Sequence, residues 1–139
     1  MKKAVFIGMI ILLYLSVMLS GCQDTNSVKT KQIPENVYLD STIVEFANVT
    51  FDKKINKSGG IESVTVGWLF HNIAGRTIDA KIDVKFYDEN NLLLYNTTKI
   101  FSNFLTGYTE QLYNEANKVT YDGDDAASVK YVIISVTEI

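Results

Sequence analysis

The sequence predicts an all-β domain, an antiparallel β-sandwich of about six or seven short strands, placed after an apolar N-terminal segment. Three observations lead to this. Apolar residues recur with a period of two from Val37 onward, clusters of Gly, Asn and Asp separate the periodic runs, and no helical period is sustained. The 139 residues carry 13 Lys and Arg against 16 Asp and Glu. Phosphate affinity rests largely on clustered basic side chains, so a negative chain with only "KTK" at 29–31 and "KK" at 53–54 is not expected to bind nucleic acid.

At the N-terminus, Met1-Lys2-Lys3 precedes the uncharged apolar run Ala4–Leu19, which ends in Ser20-Gly21-Cys22. A charged head, an apolar middle and small residues at the end are the order of a secretory signal peptide. A membrane-spanning helix needs about 20 apolar residues, so length alone leaves an uncleaved anchor open. Leu19-Ser20-Gly21-Cys22 resembles the lipobox of prokaryotic lipoproteins, where small side chains let the backbone enter a peptidase cleft and the thiol accepts lipid. The resemblance implies cleavage before Cys22 and a two-chain attachment there. Two chains hold a protein stably on a bilayer where one binds only marginally. Residues 1–21 then form the signal peptide, and 22–36 the lipidated cysteine with a polar linker. Such a linker has a root-mean-square reach of about 20 Å and a taut limit near 50 Å. The expected location is the outer face of the cell membrane.

Residues 37–139 form the folded domain, which has no cysteine and so no disulfide. Its first strand is expected over 37–51, with a bulge near Ala47-Asn48 that returns Val49 and Phe51 to the face of Val44 and Phe46. "SVTVGWLFHN", 63–72, sets Val64, Val66, Trp68 and Phe70 on one face and the less polar set Thr65, Gly67, Leu69 and His71 on the other. That pattern suits a central strand with Trp68 as core filler. "TIDAKIDVKFYD", 77–88, alternates most cleanly, with Ile78, Ala80, Ile82, Val84 and Phe86 against Asp79, Lys81, Asp83 and Lys85. The turn clusters "NKSGG" (56–60), "NIAGRT" (72–77) and "DENN" (88–91) are short, which favours antiparallel hairpins. Further strands are expected at 92–101 and 128–138, the latter apolar on both faces from Tyr131 to Ile134 and so covered on two sides. Residues 109–122 read as two short strands, although Leu112, Ala116 and Val119 also fit one helical face.

"GWLFHNIAGRTIDAKIDVKFYDENNLLL", 67–94, is similar to the FxLYD-type domain of prokaryotic surface proteins. Asn72, Gly75, Thr77, Val84, Phe86, Tyr87 and Asp88 occupy the places of its strand end, its turn and its aromatic-Tyr-Asp triplet. Val84 and Phe86 stand where the family pattern has Phe and Leu. The resemblance implies an immunoglobulin-like sandwich on a surface protein and carries no catalytic activity with it. Asp88 then closes the "DENN" turn.

Catalytic and metal chemistry find little support. His71 is the only histidine and is expected at a strand end facing solvent, so a zinc site of several His is excluded, and no nucleophile-elbow glycine pattern surrounds any serine. Asp122, Asp124 and Asp125 share one loop but lack the further ligands of a calcium-binding loop. No cofactor is expected. Asn48, Asn56 and Asn96 head glycosylation sequons. Tyr95, Phe101, Phe104, Tyr108, Tyr113 and Tyr121 make the second half aromatic. Phe101 and Phe104 are assigned to the core, and Tyr108 with Tyr113 forms the candidate binding patch. The expected function is a membrane-anchored, non-enzymatic interaction or structural module of the cell envelope, its partners the bilayer through Cys22 and an envelope protein or glycan. A carbohydrate or envelope-ligand binder is the first alternative. A small hydrolase or metal-dependent enzyme gathering Asp122, Asp124, Asp125 or His71 is the second.

Overall fold

Strict alternation decides the largest sheet. In the computed structural model, which describes residues 33–139, Ile78, Ala80, Ile82, Val84 and Phe86 are all buried, and the residues between them face outward. The signal segment 1–21, Cys22 with Leu19, Ser20 and Gly21, and the linker as far as residue 32 lie outside the described residues. The strands are β1 (Val37–Asp40), β2 (Val44–Ile55), β3 (Ile61–Asn72), β4 (Ile78–Tyr87), β5 (Leu93–Phe104), β6 (Lys118–Tyr121) and β7 (Tyr131–Glu138). They form a four-stranded sheet in the order β1-β7-β4-β5 and a three-stranded sheet β2-β3-β6. The two sheets enclose one apolar core, which makes the domain a β-sandwich. Among the described residues no helix is long and apolar enough to cross a membrane.

The core is aromatic at its centre. Trp68, Phe70 and Phe86 are fully buried, and Phe70 lies between Phe46 (ring centroids 5.8 Å apart) and Trp68 (6.0 Å). Trp68 is the filler that its strand pattern suggests, although its indole N–H has no hydrogen-bond partner among the described residues. The bulge also falls where the break of period requires it. Phe46 pairs with Phe70 and Asn48 with Leu69, so Ala47 is the extra residue and both Phe46 and Val49 reach the core. In the β4–β5 turn, the Asp88 carboxylate accepts from the amides of Asn90 and Leu92, each at 2.8 Å.

Five expectations need correction. Residues 37–51 are not one strand. The Ser41 hydroxyl accepts from the amides of Ile43 and Val44, and this turn sends β1 to one sheet and β2 to the other. The sandwich is also not wholly antiparallel, because β1 runs parallel to β7, which the long chain path between them permits. The 72–77 turn is short yet makes no hairpin, since β3 and β4 belong to different sheets. Of the two strands expected in 109–122, only β6 forms, and Thr109 makes a lone bridge to His71. Between them Asn114 and Asn117 exchange side-chain hydrogen bonds with the backbone and wind Glu115–Asn117 into a 3-10 turn. Finally, β7 is covered on one side by the core, and on the other only partly, where Tyr131 stacks on Tyr87 (5.1 Å) and meets the edge of Tyr38 (5.8 Å).

The crossing from β3 to β4 depends on Asn72, which is buried. Its amide nitrogen donates to the carbonyls of Arg76 (2.9 Å) and Phe104 (2.7 Å), and its side-chain oxygen accepts from the Ala74 amide (2.8 Å). Replacing it by Ala orphans three backbone groups, which costs about 2–4 kcal/mol. Asn72→Asp keeps the acceptor but turns a carboxylate toward two carbonyl oxygens, so at neutral pH it is the worse variant. Chemical denaturation of both should give this order at pH 7 and a narrowed gap in mild acid; equal stability for Asn72→Ala and the parent protein would refute the role given to this side chain.

Candidate functional site

Beyond β5 the chain folds back under the end of the sandwich. Gly107, with φ of 66°, allows the tight turn in which the Tyr108 amide donates to the Leu105 carbonyl at 3.1 Å. The loop is then tied to the last residues of β3. Gly107 N–H donates to the Asn72 carbonyl (3.2 Å), Asn72 N–H to the Tyr108 carbonyl (3.0 Å) and Glu110 N–H to the Phe70 carbonyl (2.9 Å). The ladder is completed by a side chain, because Phe70 N–H donates to Glu110 Oε2 at 2.7 Å. The carboxylate therefore stands where a strand would present a carbonyl.

Between this loop and the end of β5 opens a groove of about 570 Å³. Phe101, Phe104 and Tyr108 form its aromatic wall, with successive edge-to-face contacts at 5.1 and 5.9 Å. Leu105 and Leu112 border it and are exposed, Leu112 by 78 %. Ser102, Asn103, Gln111 and Asn114 supply neutral polar groups, and Glu110 is the one charged residue in the lining. Burial pushes the Glu110 carboxyl above the usual glutamate range, against the lowering effect of the Phe70 amide and the Asn117 side chain.

Of the two tyrosines read as a patch, Tyr108 lines this groove and Tyr113 does not. Tyr113 instead covers the outer face of β3 at Gly67, where an added Cβ would lie 3.3 Å from its ring and 3.0 Å from the Thr50 hydroxyl. Burial and the Asp52 carboxylate both raise the Tyr113 phenol above its ordinary pKa. Phe104 is buried and Phe101 half-buried, as core residues, yet both also wall the groove. Tyr95 stacks on Tyr121 at 5.0 Å over Phe86 and belongs to the other end of β5. Asn48, Asn56 and Asn96 are exposed. The side-chain oxygen of Asn56 accepts from the amides of Ser58 and Gly60, closing its own turn.

His71 is half-buried rather than open to solvent, with Nδ1 2.5 Å from the Thr109 hydroxyl. The acidic loop is remote from it: Tyr121, which precedes Asp122, pairs with Val64 near the opposite end of β3. There the Tyr121 hydroxyl donates to the Asp125 carboxylate, and this bond pushes the phenol pKa up to about 12. Among the described residues no three His, Cys, Asp or Glu side chains are grouped so as to hold a metal ion. Reading the sequence missed Glu110, Leu105 and Leu112. Thr109-Glu110-Gln111 carries no pattern that sets its carboxylate apart from any other exposed acid.

No protein-family model and no curated protein sequence matches the chain. Among solved structures it is similar to the crystal structure of Campylobacter jejuni cj0090, with a TM-score of 0.40 and 12 % identity, over 76 % of this chain and 100 % of that one.

Because the folded state raises the Glu110 pKa, ionisation favours the unfolded chain. The stability tied to this group is whole below the ordinary glutamate value of 4.5 and is lost as pH rises through the higher folded value. Glu110→Gln keeps an acceptor for the Phe70 amide and removes the titration. Its melting temperature relative to the parent protein should rise as pH goes from 4 toward 7; a flat or falling difference would show that the carboxylate is not desolvated.

Proposed function

We propose that the protein is a membrane-anchored surface lipoprotein whose sandwich is a non-enzymatic interaction module, and that the groove at Tyr108 is its contact site. The observation that carries this reading is the placement of the two ends. Val37 pairs with Val132, which pairs in turn with Phe86, so the chain comes in at the end of the sandwich where β4 finishes. The groove is built from the C-terminal end of β5, opposite Ile78 where β4 begins. A ten-residue strand spans about 30 Å. In a domain tethered through Cys22 the groove would thus lie at the end remote from the tether, open to whatever the envelope or its surroundings present.

Sequence supports the anchor independently, through Leu19-Ser20-Gly21-Cys22 at the close of the apolar run. The likeness to FxLYD-type surface domains agrees with it. Asn72 and Asp88, two positions that carry the likeness, both satisfy backbone groups at turns. The aromatic wall favours the ligand-binding form of this function over a purely structural one, since flat rings give contact area at little cost in side-chain entropy.

Expression in a lipoprotein-competent host, followed by intact mass of the membrane-extracted protein, tests the anchor. A mature chain that starts at Cys22 and carries added lipid mass is expected, with Cys22→Ser remaining unprocessed and unlipidated. An intact Met1, or an upstream cut without lipid, would make the apolar run an ordinary anchor or signal and would end this proposal.

A further inference from the structure

The groove has a chemical asymmetry that narrows its ligand. Its walls are aromatic and aliphatic, its remaining polar lining is neutral, and no Lys or Arg belongs to it. The single charge is the Glu110 carboxylate, which forms no salt bridge with any described residue. It is also held in place, because the Phe70 amide fixes Oε2 at 2.7 Å. A purely apolar ligand would strip water from an ionised carboxylate and give nothing back, and an anion would meet it at close range. A neutral sugar would supply hydroxyl donors but leave the charge uncompensated. An alkylammonium satisfies both halves of the site, its methylenes lying on apolar wall and its charge meeting the carboxylate, with aromatic faces nearby that attract cations.

The apolar surface does not stop at the groove. Leu105, Tyr108 and Leu112 are each about half exposed or more, at 57 %, 49 % and 78 %, and they extend the contact area past the space one amine would fill. That extent suits a side chain presented by a larger partner. We propose that the groove receives a lysine side chain of a partner polypeptide, its stem along Phe104, Tyr108 and Leu112 and its ammonium at the Glu110 carboxylate. The inference deepens the reading of the groove as a contact site and does not require the lipid anchor.

Saturation-transfer NMR on the full-length chain in a neutral detergent tests it, with three probes: acetyl-Ala-Lys-Ala-amide, the same peptide with norleucine for lysine, and n-butylammonium. The lysine peptide should bind about tenfold more tightly than the norleucine peptide, the usual order for one charge-assisted contact, and more tightly than n-butylammonium. Glu110→Gln should abolish the preference for lysine. Leu112→Ala, at an exposed position that the fold does not depend on, should weaken both peptides alike. Equal binding of the lysine and norleucine peptides, or no saturation of either, refutes the site in the unaltered protein without recourse to any variant. Binding of n-butylammonium as tight as the lysine peptide refutes the polypeptide partner. Because the measurement is made in detergent, it gives the same answer whether or not Cys22 carries lipid, so its failure leaves the anchor standing and the reverse holds too.

Discussion

One buried amide holds the two sheets in their arrangement. Asn72 ends β3 in the smaller sheet, yet its side chain bonds to the Arg76 carbonyl just before β4 and to the Phe104 carbonyl at the end of β5, both on the larger sheet's side. Its backbone receives the loop at Gly107 and Tyr108. A single residue thus fixes the crossing between sheets, the end of the edge strand and the start of the groove loop. An apolar residue of similar size could fill the space but would leave several buried backbone groups without partners, each a loss of the same order as the domain's margin of stability permits only a few times.

The packing between the sheets follows from that crossing. With β3 and β4 on opposite sides of the core, the alternating faces of both strands turn inward. Trp68 and Phe70 then meet the residues of β4 and β5, Phe70 reaching Phe101 at 6.4 Å. The bulge at Ala47 serves the same end on β2. Without the extra residue Val49 would face water, since a shift of one position reverses every later side chain. The outer face of β4 shows the complement, with Lys81 paired to Asp83 at 2.9 Å and Asp83 held below the usual carboxylate range by the Thr98 hydroxyl and then by Lys81.

How much of this could be read from sequence depended on whether the cause was local. β4, the core face of β3, the Ala47 bulge and the Asp88 turn are all set by residues within a few positions, and the alternation shows them. The separation of β1 from β2 was hidden because the Ser41 turn interrupts a run that remains apolar on both sides. The parallel pairing of β1 with β7, and the passage of the 72–77 turn between sheets, are choices of partner, and alternation along one strand says nothing of which strand lies beside it. The site divides in the same way. Tyr108 could be singled out as an aromatic in a loop, whereas Glu110 gains its meaning only from Phe70, which is 40 positions away in the chain.

The groove itself arises from a mismatch of lengths. β5 is a 12-residue edge strand of one sheet and β6, the corresponding edge of the other, has 4 residues. At the end where both exist, Tyr95 stacks on Tyr121 and closes the sandwich. Toward Phe101 and Phe104 no residue of β6 faces β5, because β6 begins only after the Asn114–Asn117 turn. The 105–114 loop takes over that place, tied to the end of β3 by backbone bonds at Gly107, Tyr108 and Glu110 and, where a further carbonyl would stand, by the Glu110 carboxylate. A side chain that substitutes for a strand must bring its charge with it into the space it closes. The same carboxylate that completes the hydrogen bonding of β3 therefore supplies the groove with its one charge.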